Sequence, residues 1–134
     1  MGTSDFAQAI LDGLISAQYN VVAVYTQPDK KVGRDQEVRK SSVKLLAEEK
    51  KIPVLQPERF DEKTINELRE IKPDLVVVAA YGKILPKETL DIPGFKCLNV
   101  HASLLPKFRG PSPIQNAILH GEKETGITIM LMDE

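Results

Sequence analysis

The sequence predicts an α/β fold: a Rossmann-like, mostly parallel, doubly wound sheet with helices on both faces. Three observations carry that expectation. Stretches with helical and strand-like patterning alternate along the chain. The runs Val21–Tyr25 and Asp74–Ala80 are largely apolar or β-branched, as strands covered on both faces are. The most unusual stretches follow Tyr25, Ala80 and Val100, where the carboxyl ends of such strands would form a ligand-binding crevice.

The elements follow in order. Phe6, Ala9, Ile10, Leu14 and Ile15 form a helical stripe over Asp5–Ala17, with Ser4 placed to cap the free amides. Val21–Tyr25 reads as a buried strand. Gln27–Lys40 shows no periodicity, holds Pro28, Gly33 and many charges, and reads as a long loop. A second helix runs over Ser41–Lys50 with a serine cap, Val54-Leu55 is a short strand, and Asp61–Ile71 is a third helix. Asp74–Ala80 is the strongest strand. Pro86–Leu90 is a short helix, Cys97–Val100 a strand, and Pro113–His120 a helix stopped by Gly121. Gly126–Met132 alternates apolar residues and reads as a final strand. The chain opens without a strand ahead of its first helix and stops in or just after its last one. The expectation is therefore a single domain over residues 1–134, truncated at both ends.

Composition bounds the function. The 134 residues are 42% hydrophobic, enough for a real core, and an aromatic content of 5% with no Trp makes that core aliphatic. A net charge of -1 excludes a protein that coats nucleic acid over its whole surface, so any polyanion must be met by a local patch. Such a patch exists: residues 27–44 carry six basic and three acidic side chains, +3, which leaves -4 for the rest of the -1 total. An ordinary solvated loop is the alternative reading. One cysteine excludes a disulfide framework and a multi-cysteine metal cage, and two histidines without further ligands give no metal site. No apolar run approaches bilayer length and no signal-peptide pattern opens the chain, so a cytoplasmic protein is expected.

The chemistry concentrates at Asn99-Val100-His101. A spacing of two in a strand puts the amide and the imidazole on one face. An amide there can stabilise a developing oxyanion, and an imidazole can donate or relay a proton. On these residues alone, a structural histidine capping the loop fits equally well. The loop that follows is stiffened by Pro106, Pro111 and Pro113, and its Lys107 and Arg109 can meet an anion. Cys97 reads as core, His120 as a residue facing the helix dipole, and Met130 and Met132 as packing.

Several linked motifs resemble the folate-dependent formyltransferases. They are Leu98-Asn99-Val100-His101-Ala102-Ser103-Leu104-Leu105-Pro106, then Arg109-Gly110, Pro113-Ile114-Gln115 and Glu124-Thr125-Gly126-Ile127-Thr128-Ile129-Met130. Gly2–Ala7, Thr26–Lys30 with Gly33-Arg34, and Ala80–Pro86 match the family's earlier turns. The resemblance is nearest to the branch whose acceptor is methionyl-tRNA. It implies transfer of a formyl group from 10-formyltetrahydrofolate, a co-substrate, to the amino group of initiator methionyl-tRNA, with no metal. Asn99 and His101 would be catalytic. Ser103, Leu104, Leu105 and Pro106 would hold the folate, and the backbone of Lys83, Ile84 and Leu85 would read its pterin ring. Arg34, with Arg39 and Lys40, would meet the tRNA. The family's catalytic aspartate and its carboxyl-terminal tRNA-gripping domain match nothing within these 134 residues. The resemblance thus implies a fragment with negligible turnover of its own, and a full-length enzyme expected to be monomeric. The alternatives are a sibling acting on an amino sugar nucleotide or glycinamide ribonucleotide, or an inactive fragment of such an enzyme.

Overall fold

A computed structural model describes residues 1–32 and 37–133. The elements are α1 (Asp5–Ser16), β1 (Val24–Tyr25), β2 (Lys30–Val32), β3 (Glu37–Arg39), α2 (Ser42–Glu49), β4 (Val54–Leu55), α3 (Glu62–Ile71), β5 (Val76–Val78), α4 (Lys87–Leu90), β6 (Cys97–His101), α5 (Pro113–Leu119) and β7 (Thr128–Leu131). Side chains start the three longest helices as their types dictate. Ser4, Ser41 and Asp61 accept from the backbone amides of Ala7, Lys44 and Thr64, groups no helical carbonyl can reach.

The strands β1 and β4 pair in parallel, as do β5 and β6, while β7 runs antiparallel along the far side of β6. Met1 and Gly2 bridge the two sheets. The Gly2 amide donates to the Tyr25 carbonyl at 2.9 Å, and the Ala79 amide donates to the Met1 carbonyl at 2.9 Å. The first two residues thus lie between β1 and the end of β5, where the sequence suggested no strand at all.

Each face of the sheet has its own core. On one, Ala7 and Leu11 of α1 and Val43, Leu46 and Ala47 of α2 pack with Val24, Ala79 and Val100. On the other, Leu68 of α3 and Leu90 of α4 pack with Val76, Val78, Tyr81 and Cys97. Strand β6 alternates between them, Cys97 to one side and Val100 to the other, which is the pleat expressed as packing. The expected doubly wound architecture is what forms. Burial of Cys97 also pushes its thiol above the ordinary value, consistent with a core residue.

Two expectations are corrected. The first strand is two residues long, not five; Val21 packs on the core from outside the strand. The segment Gln27–Lys40 is not a plain loop but carries the antiparallel ribbon of β2 and β3, with Lys30 opposite Arg39 and Lys31 opposite Val38. Its β3 residues are all exposed. Exposed residues such as Lys30, Lys31 and Glu37–Arg39 leave no apolar alternation for a sequence to show.

Candidate active site

Strand β6 carries the candidate pair. Asn99 and His101 share the face on which Cys97 enters the core, and they continue it half-buried toward the strand's carboxyl end. Their cross-strand partners in β7 are Met130 and Thr128. The Asn99 side chain makes no hydrogen bond to any described residue, so its amide is free to donate. The His101 ring lies with Nε2 at 3.0 Å from the carbonyl oxygen of Phe108. A carbonyl only accepts, so Nε2 holds a hydrogen and Nδ1 is the nitrogen left for chemistry. Phe108 is held in turn: its backbone is left-handed, φ 55°, and its ring packs on His120 with centroids 5.3 Å apart. His120 caps the end of α5 as expected, with Nδ1 2.8 Å from the Asn116 carbonyl, but its contact with Phe108 was not foreseen.

The loop after β6 is fixed from within. Ser103 is fully buried and its hydroxyl donates to the Lys107 carbonyl at 2.7 Å. The Thr128 hydroxyl donates to the Ser103 carbonyl at 2.7 Å and accepts from the Leu105 amide at 3.2 Å. Ser103 therefore shapes the loop rather than presenting its hydroxyl, and Leu104 and Pro106 are the members of the quartet that face outward, with Leu105 half-buried. Gly126 leaves room for Leu104, because a Cβ there would lie 2.7 Å from its Cδ2. Lys107 is engaged by Glu122 at 2.9 Å, and Arg109 remains exposed. Thr128 was missed as a site residue. The signal was there: a hydroxyl amid the apolar alternation of Gly126–Met132.

The turn after β5 leaves the sheet at the same end, because β5 and β6 are parallel neighbours. Ala80 and Gly82 are both left-handed, φ 43° and 75°, a conformation costly for an alanine. The Tyr81 carbonyl between them accepts from the Thr3 hydroxyl at 3.1 Å and from Gln27 Nε2 at 2.9 Å. Beyond the turn, Lys83 Nζ donates to the Glu58 carbonyl, Ile84 is 95% exposed and Leu85 is buried in the core. The backbone of this stretch and the exposed Ile84 side chain are what a ligand could meet.

The basic segment is only partly described. Arg34 lies outside the described residues. Arg39 is exposed at the end of β3. Lys40 pairs with Glu48 at 2.8 Å, and that hydrogen bond raises its pKa. At the root of the ribbon, Lys44 Nζ meets Asp29 at 2.6 Å and Gln56 Oε1 at 2.7 Å, while Gln56 Nε2 donates to Asp29 at 2.8 Å and to the Gln27 carbonyl at 2.9 Å. The Lys44 hydrogen bond holds the Asp29 carboxyl below its usual range.

Among the described residues no three His, Cys, Asp or Glu side chains converge as metal ligands, and no helix is long and apolar enough to cross a membrane. Two shallow hollows, about 650 Å³ beside Arg69 and Asp91 and about 390 Å³ beside Gln56 and Thr64, touch neither Asn99 nor His101. The candidate site is thus an open sheet end bordered by three loops. A family model described as formyl transferase matches residues 1–134. The chain belongs to the formyl transferase family. Methionyl-tRNA formyltransferases of Magnetococcus marinus and Caldanaerobacter subterraneus subsp. tengcongensis are 54% and 55% identical to it over 135 and 136 residues, all of this chain and 43% and 44% of theirs. This formyl transferase domain therefore spans less than half the length of those relatives. Among solved structures, phosphoribosylglycinamide formyltransferases of Bacillus halodurans and Anaplasma phagocytophilum share its fold, with TM-scores of 0.72 and 0.73 at 26% identity. They cover 99% of this chain, which covers 70% and 61% of theirs.

Proposed function

We propose that this chain is the amino-terminal, donor-binding part of a cytoplasmic enzyme that formylates methionyl-initiator-tRNA from 10-formyltetrahydrofolate. The observation that carries the reading is the pairing of an Asn99 amide, without a hydrogen-bond partner among the described residues, with a tethered His101 at one strand end. Attack of an amine on a formyl carbon develops negative charge on the formyl oxygen. The Asn99 amide donates to that oxygen, and pre-orientation makes the donation worth more at the transition state than before it. His101 Nδ1 takes up the proton that the amine sheds and returns it to N10 of the folate as the bond from N10 to the formyl carbon breaks and tetrahydrofolate leaves, while Nε2 keeps the ring oriented. No covalent bond to the chain is needed, and no nucleophile is required of the buried Cys97.

The residues around the pair suit a flat, partly apolar donor. Exposed Ile84 and Leu104 offer apolar surface, and the strained turn before Lys83 presents backbone groups for ring edges. The segment that carries β2 and β3, with Lys30, Lys31, Arg34, Arg39 and Lys40 in its sequence, supplies the positive charge a tRNA end needs without making the whole protein basic. The tRNA acceptor is favoured over glycinamide ribonucleotide because the methionyl-tRNA relatives are about twice as similar in sequence, 54% against 26%, as the phosphoribosylglycinamide ones.

The test is an acceptor assay on the full-length enzyme with 10-formyltetrahydrofolate. Formylation of methionyl-tRNA, and not of glycinamide ribonucleotide or an amino sugar nucleotide, is expected. Preference for either small acceptor overturns the assignment.

A further inference from the structure

Gln27 stands where three loops meet. Its main-chain amide donates to the Thr3 hydroxyl at 3.3 Å, and its carbonyl accepts from Gln56 at 2.9 Å. Its side-chain amide reaches across 54 and 55 positions of sequence to donate to two consecutive carbonyls, Tyr81 at 2.9 Å and Gly82 at 3.2 Å. Gly82 fits this arrangement closely: besides its left-handed φ of 75°, a Cβ there would lie 2.3 Å from Gln27 Nε2. An –NH2 has two hydrogens, and here both are engaged by the turn that launches Lys83–Leu85.

We propose that Gln27 is a positioning residue that sets the left-handed turn Ala80–Gly82, and with it the donor-reading backbone of Lys83–Leu85, from the neighbouring loop after β1. The two hydrogen bonds hold the peptide planes on either side of the left-handed Gly82, next to a left-handed Ala80 that does not favour its own conformation. Without them the turn relaxes and the backbone that meets the donor loses its fixed orientation. Through Gln56 and Asp29 the same residue is anchored to the root of the basic ribbon. The proposal rests on the donor-site reading above, and its failure can be told from the failure of that reading.

The experiment uses the full-length enzyme with Gln27→Met, which keeps length and removes both donors. The KM for 10-formyltetrahydrofolate is expected to rise about tenfold, the effect of one to two neutral hydrogen bonds, while kcat falls less than about threefold. Gln27→Glu, whose carboxylate has no hydrogen to give, is expected to raise the donor KM at least as far. A donor KM within about twofold of wild type in a folded Gln27→Met enzyme overturns this inference alone. A lowered melting temperature with an unchanged donor KM also overturns it, because that is what a merely structural residue would show. Should the variants fail to fold, the wild-type enzyme decides: the Gln27 side-chain amide hydrogens are expected to exchange slowly, and more slowly still when tetrahydrofolate binds. Exchange unaffected by tetrahydrofolate overturns the inference. A wild-type enzyme that does not bind tetrahydrofolate at all overturns the functional reading with it.

Discussion

His101 is tethered to Phe108, ring nitrogen to backbone oxygen, at 3.0 Å. That contact occupies one nitrogen of the imidazole and, in the proposed reaction, leaves the other to move the proton. Asn99, two residues earlier on the same face, has no comparable tether.

The difference predicts different costs for the two alanine variants of the full-length enzyme. Asn99→Ala removes an oxyanion donor and is expected to lower kcat by about 10²–10³-fold. It should leave the melting temperature nearly unchanged, since no described residue loses a partner. His101→Ala is expected to lower kcat by about 10²–10⁴-fold. It should also cost about 1 kcal/mol of stability, because the Phe108 carbonyl loses its donor. Steady-state kinetics beside urea unfolding separate the two. Equal stability losses, or an active Asn99→Ala enzyme, would count against the assigned roles.

The Thr128 hydroxyl both gives and receives a hydrogen bond in the loop after β6. Thr128→Val keeps its shape and strands the Ser103 carbonyl and the Leu105 amide. A loss of about 1–3 kcal/mol is expected, with a raised donor KM, and Thr128→Ser should recover most of both. If valine is tolerated and serine is no better, the loop is held by something else.

Two buried phenols are unusual. Among the described residues the hydroxyls of Tyr25 and Tyr81 have no hydrogen-bond partner, and burial pushes the Tyr25 phenol up to about 12 and raises that of Tyr81 as well. Their rings flank Phe60, one stacked at 6.0 Å and one edge-on at 6.1 Å. The rings, not the hydroxyls, hold this cluster. Tyr81→Phe should therefore leave stability unchanged or raise it, since it removes a desolvated polar group that nothing compensates. Calorimetric melting near neutral pH checks this, and a drop of several degrees would reveal a hidden partner.

The Met1 amine donates to the Val77 carbonyl at 2.7 Å, and burial lowers its pKa from 8.0 to about 6. The unfolded chain takes up this proton as pH falls through 8, the folded chain only near 6. Between those values the unfolded state binds more protons, so stability rises with pH across the window and is fully present above it. For the 134-residue chain, the urea midpoint should be higher at about pH 8.5 than at about pH 5.5. Acetylating Met1 should remove that part of the difference; an unaltered slope would assign it to other groups.

Much of this was readable before any coordinates. The serine caps of the first two helices are local chemistry, and the two-residue spacing of Asn99 and His101 fixes their common face wherever the strand lies. The aliphatic strands announced themselves because two cores cover them. The ribbon of β2 and β3 did not, because periodicity is written by burial and it has little. Gln27 was invisible for another reason, and of Thr128 only the hydroxyl, not its partners, could be read. Each acts on carbonyls 54 and 25 positions away, and no local pattern records a contact made across the fold. The left-handed Phe108 likewise owes its conformation to what surrounds it.

Gly2 has one last implication. A Cβ there would lie 2.4 Å from that of Ala7 and 2.6 Å from the Ala79 carbonyl. The half of the molecule bearing the basic ribbon and the half bearing the amide–imidazole pair are therefore seamed along a line with room for bare backbone only. A methyl group at this position wedges the halves apart, so the alignment of the ribbon with the amide–imidazole pair depends on an atom the second residue lacks.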